Sequence, residues 1–216
     1  MVNPEDFIRD QLPFQYWPVV PTVLRQAYAA ADSLIDDSPI LQVNSARDNK
    51  GRSVSWAVDF GFQRAVVSGA LNCECRWVPF AQPTGRYLEL RFSHSKASIS
   101  QIADPSKQPR TVVFRENAKL TTQTAFDFEQ FREEQRVLGL PHFLIVHGHQ
   151  QLAFAHIGLP SPTARDWAWL SRNLMSMPHE IPADNRPAPE NTDTDFASVN
   201  LLKEELERWM RDNVKE

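Results

Sequence analysis

The chain has 216 residues, of which 42% are hydrophobic and 23% charged, so it carries enough apolar side chains for a globular core and is not a disordered polymer. Two cysteines exclude a disulfide framework, and 7 glycines against 16 prolines exclude collagen-like and Gly-rich linker classes. The net charge of −4 conceals a basic middle, because residues 1–43 carry −4, residues 44–120 carry +6 and residues 121–216 carry −6.

Two helices are predicted in the first third of the chain. Apolar residues at three- and four-residue spacing predict a helix over 18–37. A second helix is predicted over 54–68, with Ser53 as its N-cap and Gly69 at its end. Apolar and polar residues also alternate strictly over 54–60, so a half-buried strand is the alternative for that segment.

The apolar period then changes to two, which is typical of strands. Residues 73–78 and 87–92 are predicted to form a hairpin around the turn signal Pro83-Thr84-Gly85. A third strand is predicted over 97–102, and a short edge strand over 112–114.

The rest of the chain returns once to a helix and then to the sheet. A helix is predicted over 126–138, where the apolar spacing is helical. Two strongly apolar segments, 142–147 and 152–157, are predicted to form a buried hairpin. We therefore expect an α+β (α/β) fold with a mixed central sheet and flanking helices.

The predicted domain organisation has three parts. Residues 1–177 form one globular domain, residues 178–195 form a proline-rich linker, and residues 196–216 form an amphipathic helix. The apolar stripe of that helix predicts docking onto the domain, a homodimer or a protein partner through residues 196–214. The N-terminus lacks the pattern of a signal peptide and the longest uncharged run is rich in His and Pro, so a cytoplasmic protein without a membrane partner is expected.

From residue 53 to residue 147 the predicted order is helix, strand, strand, strand, helix, strand. This α-β-β-β-α-β order is similar to the common core of the PD-(D/E)XK nuclease-like superfamily, and the resemblance covers about half of the chain. It implies a divalent metal, Mg²⁺ or Mn²⁺, held by an acidic residue on the second strand and by an acid-x-Lys motif on the third. The metal would activate water against a phosphodiester.

Two placements of that motif are compatible with the sequence. In the first, Glu89 is the acid of the second strand and His94-Ser95-Lys96 stands in the acid-x-Lys position. In the second, Asp59 and Glu89 are the metal ligands, and Arg91 replaces the lysine. Both placements depart from the motif. In the first, His94 replaces a carboxylate, although Mg²⁺ prefers oxygen ligands. In the second, Arg91 replaces the lysine, and an arginine cannot act as a base.

The basic middle of the chain predicts a ligand with negative charge. The candidate phosphate-binding residues are Arg52, Arg64, Arg86 and Arg91. We therefore predict a nucleic-acid or polyanion-binding module with a nuclease-like core and with DNA or RNA as its partner. A metal-dependent nuclease is the alternative. A third interpretation needs no ligand: the basic residues pair with acidic residues from the two ends of the same chain.

A zinc site is a less favoured alternative use of the cysteines. Cys73 and Cys75 are predicted on one face of a strand, and His147 and His149 on a second strand. The spacing is too short for most zinc sites, so structural roles are the prediction for all four residues.

Overall fold

The computed structural model describes residues 3–80, 85–109, 140–161, 166–177 and 207–208, and these residues form an α+β fold with a mixed sheet, as predicted. The described α-helices are α1 (Pro4–Gln11), α2 (Val19–Asp37), α3 (Asn44–Asp48) and α4 (Lys50–Val67). The strands are β1 (Glu74–Pro79), β2 (Arg86–Arg91), β3 (Lys96–Ile102), β4 (His142–Gly148), β5 (Ala155–Pro160) and β6 (Trp167–Leu170).

The six strands form one sheet in chain order, β1-β2-β3-β4-β5-β6. All neighbouring strands are antiparallel except β3 and β4, which run parallel in the register Lys96↔His142 to Ile102↔Gly148. All seven residues of β4 are buried, which is typical of a strand covered on both faces.

Helices α2 and α4 pack together on one face of the sheet, which we call the helix face. Their contact is close because α4 carries Gly61, where a Cβ atom would lie 2.8 Å from Cγ1 of Val23 on α2. The two helices share one apolar core with the side chains that the sheet presents to them. From the central strands these are Leu88, Leu90, Ala97, Phe143, Ile145 and Ile157.

The opposite face of the sheet, which we call the second face, has a smaller apolar cluster. It consists of Ile102, Leu144, Val146 and Phe154, against which Trp167 packs. The cluster lies towards the end of the β3–β4 ladder that is marked by Ile102 and Gly148. The other end of the second face, near Lys96, is polar and contains the candidate site.

The helices predicted over 18–37 and 54–68 are confirmed as α2 and α4. The strand alternative for 54–60 is wrong, because α4 buries its apolar residues at helical spacing. Ser53 is not the N-cap, since α4 begins at Lys50 and Asn49 precedes it without a side-chain capping bond.

The predicted hairpin is confirmed as β1 and β2, and the third strand as β3. The last predicted strand begins three residues later than expected, at Ala155. The intervening loop keeps its own backbone bonds, with the Gly148 amide donating to the Phe154 carbonyl over 3.2 Å. A Cβ atom on Gly148 would overlap the carbonyl oxygen of Gln151, so glycine is required where β4 enters this loop.

Several predictions fall outside the described residues. These are the edge strand over 112–114, the helix over 126–138 and the linker over 178–195. Of the predicted C-terminal helix, only Glu207 and Arg208 are described, and both are helical and exposed. Docking or dimerisation through 196–214 and a cytoplasmic location stay predictions.

None of the described helices is both long enough and apolar enough to cross a membrane.

Candidate anion-binding site

The centre of the candidate site is Glu89, in the middle of β2. Its neighbours Leu88 and Leu90 belong to the core on the helix face, so strand alternation places Glu89 on the second face. The Glu89 side chain is only 4% exposed and lies among three cations. Its Oε1 accepts from Nε of Arg76 at 3.0 Å and from Nε of Arg91 at 2.9 Å, and its Oε2 lies 3.9 Å from Nζ of Lys96.

Regular strand pairing assembles these four side chains, which we call the Glu89 cluster. Arg76 lies opposite Glu89 across the β1–β2 ladder, and Lys96 lies opposite Arg91 across the β2–β3 ladder. Directly opposite residues of antiparallel strands have Cβ atoms about 5 Å apart, which is within reach of long charged side chains. The cluster is therefore a product of the register of three strands.

The Glu89 cluster carries three positive charges and one negative charge. Arg76 is 52% exposed, Arg91 37% and Lys96 28%, so the cations meet solvent while the carboxylate is buried beneath them. Glu74 lies opposite Arg91 in the register and is exposed, so the positive excess is one or two charges depending on whether Glu74 is included.

Glu89 binds the two arginines through Nε, which determines what they can bind in addition. A guanidinium has five N–H donors in a planar fork, so the terminal nitrogens stay available for a second acceptor. In the described part of the chain, Glu89 is the only hydrogen-bond partner of either guanidinium. This arrangement is suited to a phosphate or a carboxylate on the solvent side of the cluster.

Two buried polar residues extend the site towards β4. Ser98 lies opposite Glu89 across the β2–β3 ladder, and His142 lies beside Lys96 in the parallel β3–β4 pair. Nε2 of His142 and the hydroxyl of Ser98 are 3.1 Å apart, and both side chains are buried. This pair continues the polar region of the second face.

The turn between β2 and β3 is held by one side chain of α1. Oε1 of Gln11 accepts from the His94 amide at 2.7 Å, from the Ser95 hydroxyl at 3.0 Å and from the Ser93 hydroxyl at 3.4 Å. The turn leads directly into Lys96, so Gln11 helps to position the lysine. His94, a predicted catalytic residue, is exposed in this turn and is not a partner of Glu89.

The structure does not bring the two predicted metal ligands together. Asp59 is on α4, which packs on the helix face, whereas Glu89 is on the second face, so the sheet lies between them. Asp59 is partly buried, and burial raises the pKa of its carboxyl to about 7. In the described ranges no group of three His, Cys, Asp or Glu side chains could hold a metal ion. The described residues by themselves therefore do not complete the implied Mg²⁺ or Mn²⁺ site.

Of the four predicted phosphate-binding arginines, only Arg91 belongs to the Glu89 cluster. Arg52 and Arg64 are exposed on α4, which packs on the helix face. They are twelve residues apart, which is about 18 Å along the helix axis. Arg86 is exposed at the start of β2 and alternates onto the same side as Leu88, away from the second face. The prediction did not include Arg76, whose position depends on the register of the hairpin.

One basic residue of the middle segment has an internal partner from the acidic N-terminal segment. Nζ of Lys50 lies 2.5 Å from Oδ1 of Asp32. Pairing within the chain therefore accounts for the charge of Lys50. The cations around Glu89 are on the opposite side of the sheet from this ion pair.

The residues of the less favoured zinc site are far apart. Cys75 is on β1 and His147 on β4, three strand spacings or about 14 Å away. Burial raises the pKa of the Cys73 thiol to about 12, so it stays protonated at neutral pH. Nδ1 of His147 lies 2.8 Å from the Tyr28 hydroxyl, which donates to the Gly148 carbonyl, and burial lowers the pKa of His147 to about 4. The described part of the chain therefore does not assemble these residues into a zinc site.

Comparisons with protein-family models, with curated proteins and with solved structures find no match for this chain. The resemblance to the PD-(D/E)XK nuclease-like superfamily therefore stays a prediction.

Proposed function

We propose that this protein is a nucleic-acid or polyanion-binding module whose Glu89 cluster binds phosphate groups. The observation that supports this proposal is the excess of positive charge around a buried carboxylate. One cation is enough to neutralise the charge of one carboxylate, whereas Glu89 has three within 3.9 Å. The cations that Glu89 does not neutralise are partly exposed, as a site for an external anion requires.

The role of Glu89 in this proposal is to orient the cations. Its carboxylate holds the two guanidinium groups at their inner edges, so they are ordered before a ligand arrives and lose less side-chain entropy on binding. Lys96 adds a point charge at the rim. The helix and strand order from α4 through β1, β2 and β3 to β4 agrees with the order on which the nuclease-like resemblance depends, although the region of the second helix is not described.

Arg76→Ala and Lys96→Ala are each expected to weaken binding to DNA, RNA and heparin and to lower the slope of log affinity against log salt by about one. Arg86→Ala is the matched control, because it removes the same charge from an exposed residue of β2 that faces away from the cluster. Binding is measured by fluorescence anisotropy at two salt concentrations. Equal losses in the three variants would show that only net charge matters, and an absence of polyanion binding at low salt would overturn the proposal.

Metal-dependent cleavage is the second candidate, supported by one contact. Nζ of Lys96 lies 3.9 Å from Oε2 of Glu89, so an acid and a lysine converge on the second face, as the nuclease-like resemblance implies. The other carboxylate near the cluster, Glu74, is exposed, and the described residues contain no group of three His, Cys, Asp or Glu side chains that could hold a metal ion. Binding is therefore the first candidate and cleavage the second.

If the second candidate is correct, the protein cleaves single- or double-stranded DNA or RNA in Mg²⁺ or Mn²⁺. Glu89→Gln then abolishes cleavage while binding is retained, because the amide oxygen of glutamine can still accept from both arginines. Gel assays of labelled substrates measure the cleavage, and anisotropy with the same substrates measures the binding. Cleavage that is unchanged in Glu89→Gln would exclude Glu89 as a metal ligand. If the wild-type protein is inactive with both metals, polyanion binding is the one function that remains of the two proposed.

A further inference from the structure

An aromatic pair lies beside the Glu89 cluster. Tyr87 precedes Glu89 by two residues on β2, so its side chain is on the same second face. Phe80 follows β1 and stacks on Tyr87, with ring centroids 5.5 Å apart and ring planes inclined by 30°. The Phe80 amide donates to the Gly85 carbonyl at 3.0 Å, which fixes the pair at the turn end of the hairpin. Both rings are partly exposed.

The aromatic pair and the cations follow one another along the hairpin. Tyr87 and Glu89 are successive second-face positions of β2, about 7 Å apart, and Arg76 lies directly across from Glu89. Arg91 follows at the next second-face position, with Lys96 beside it. A ligand that lies along β2 therefore meets aromatic rings first and a group of cations next.

This arrangement distinguishes between classes of polyanion. Heparin offers negative charge without aromatic rings, and a DNA or RNA duplex keeps the faces of its bases covered by their neighbours in the stack. A single strand presents phosphates and uncovered base faces together, and proteins bind it with basic grooves and stacking aromatic side chains.

We infer that the ligand of the Glu89 cluster is a single-stranded nucleic acid, with one base stacked at the Phe80–Tyr87 pair and a neighbouring phosphate on Arg76, Arg91 and Lys96. This inference rests on the proposed function and specifies its partner. We expect this binding to be independent of base sequence, because stacking tolerates all four bases.

The test compares the wild-type protein with Tyr87→Leu and Tyr87→Phe on a single-stranded oligonucleotide, the corresponding duplex and heparin at one salt concentration. Tyr87→Leu removes the ring but keeps an apolar side chain, and we expect it to weaken single-strand binding about 10-fold or more, as loss of one stacked base does. The affinity of Tyr87→Leu for heparin should be unchanged. Tyr87→Phe, which keeps the ring, should bind the single strand as tightly as the wild type does. Trp56→Leu, which removes an exposed aromatic residue from α4, should have no effect.

Each outcome separates the two proposals. Polyanion binding without a preference for single strands, or with no response to Tyr87→Leu, overturns this inference and leaves the proposed function intact. Equal losses for heparin and single strands in Tyr87→Leu also overturn it, because Tyr87 would then only support the fold. Absence of binding to all three ligands by the wild-type protein overturns both.

Discussion

Asp59→Asn is expected to stabilise the protein, and to do so by more at pH 8 than at pH 5. Burial raises the pKa of the Asp59 carboxyl from 3.8 to about 7, so folding favours its protonated form. The native state therefore loses stability as the pH rises from 3.8 to about 7, and above 7 the loss is constant. From pH 5 to pH 8 the change amounts to about 3 kcal/mol at 1.4 kcal/mol per pH unit. Asparagine is similar in shape and does not ionise, so the variant avoids this loss.

Urea unfolding of both proteins at pH 5, 6, 7 and 8 measures this difference. His147 has the opposite sign, because its lowered pKa of about 4 stabilises the native state as the pH rises towards 6.5. Both proteins contain His147, so its contribution cancels in the comparison. Asp36→Asn, which removes a carboxylate from an exposed position of α2, is the control. A constant difference for Asp59→Asn would show that its carboxyl is hydrated in the native state.

The double variant Arg76→Gln with Arg91→Gln is expected to be less stable than the wild type by about 3 kcal/mol, because a buried carboxylate loses its close partners. Lys96 remains, but its Nζ is 3.9 Å from Oε2 of Glu89 and cannot replace two bonds of 3.0 and 2.9 Å. Adding Glu89→Gln should restore most of this stability, since the buried group is then neutral.

Chemical denaturation of the single, double and triple variants tests this coupling. Arg76→Gln alone should cost much less than the double variant, because Arg91 still pairs with Glu89. A triple variant as unstable as the double would mean that the arginines contribute through packing of their side-chain stems and not through charge.

The fold class followed from hydrophobic periodicity where the segments were long. α2 was predictable because nineteen residues contain five turns of regular apolar spacing. α4 was ambiguous because its first apolar residues alternate, and Trp56 is exposed on the helix although the strand pattern would bury it. α1 and β6 were not predicted, because eight and four residues are too few to show a period.

The candidate site was predicted only in part. Glu89, Arg91 and Lys96 were recognised because they are close together in the sequence, on or next to one turn. Arg76 was missed because its place opposite Glu89 depends on how many residues the β1–β2 connection contains, which alternation alone does not determine. The prediction of Asp59 and Glu89 as joint metal ligands depended on a strand over 54–60. Because that segment is helical, the two carboxylates lie on opposite sides of the sheet.

The amide oxygen of Gln11, which holds the turn before Lys96, makes the site dependent on the far end of the chain. Its bond to the His94 amide joins residues 83 positions apart, so this part of the site has a high contact order. The hairpin can form from local contacts, but the turn before Lys96 gains its bonds to Gln11 only when α1 has docked. We therefore expect this turn, at one edge of the binding surface, to become fixed late in folding, after the sheet has formed.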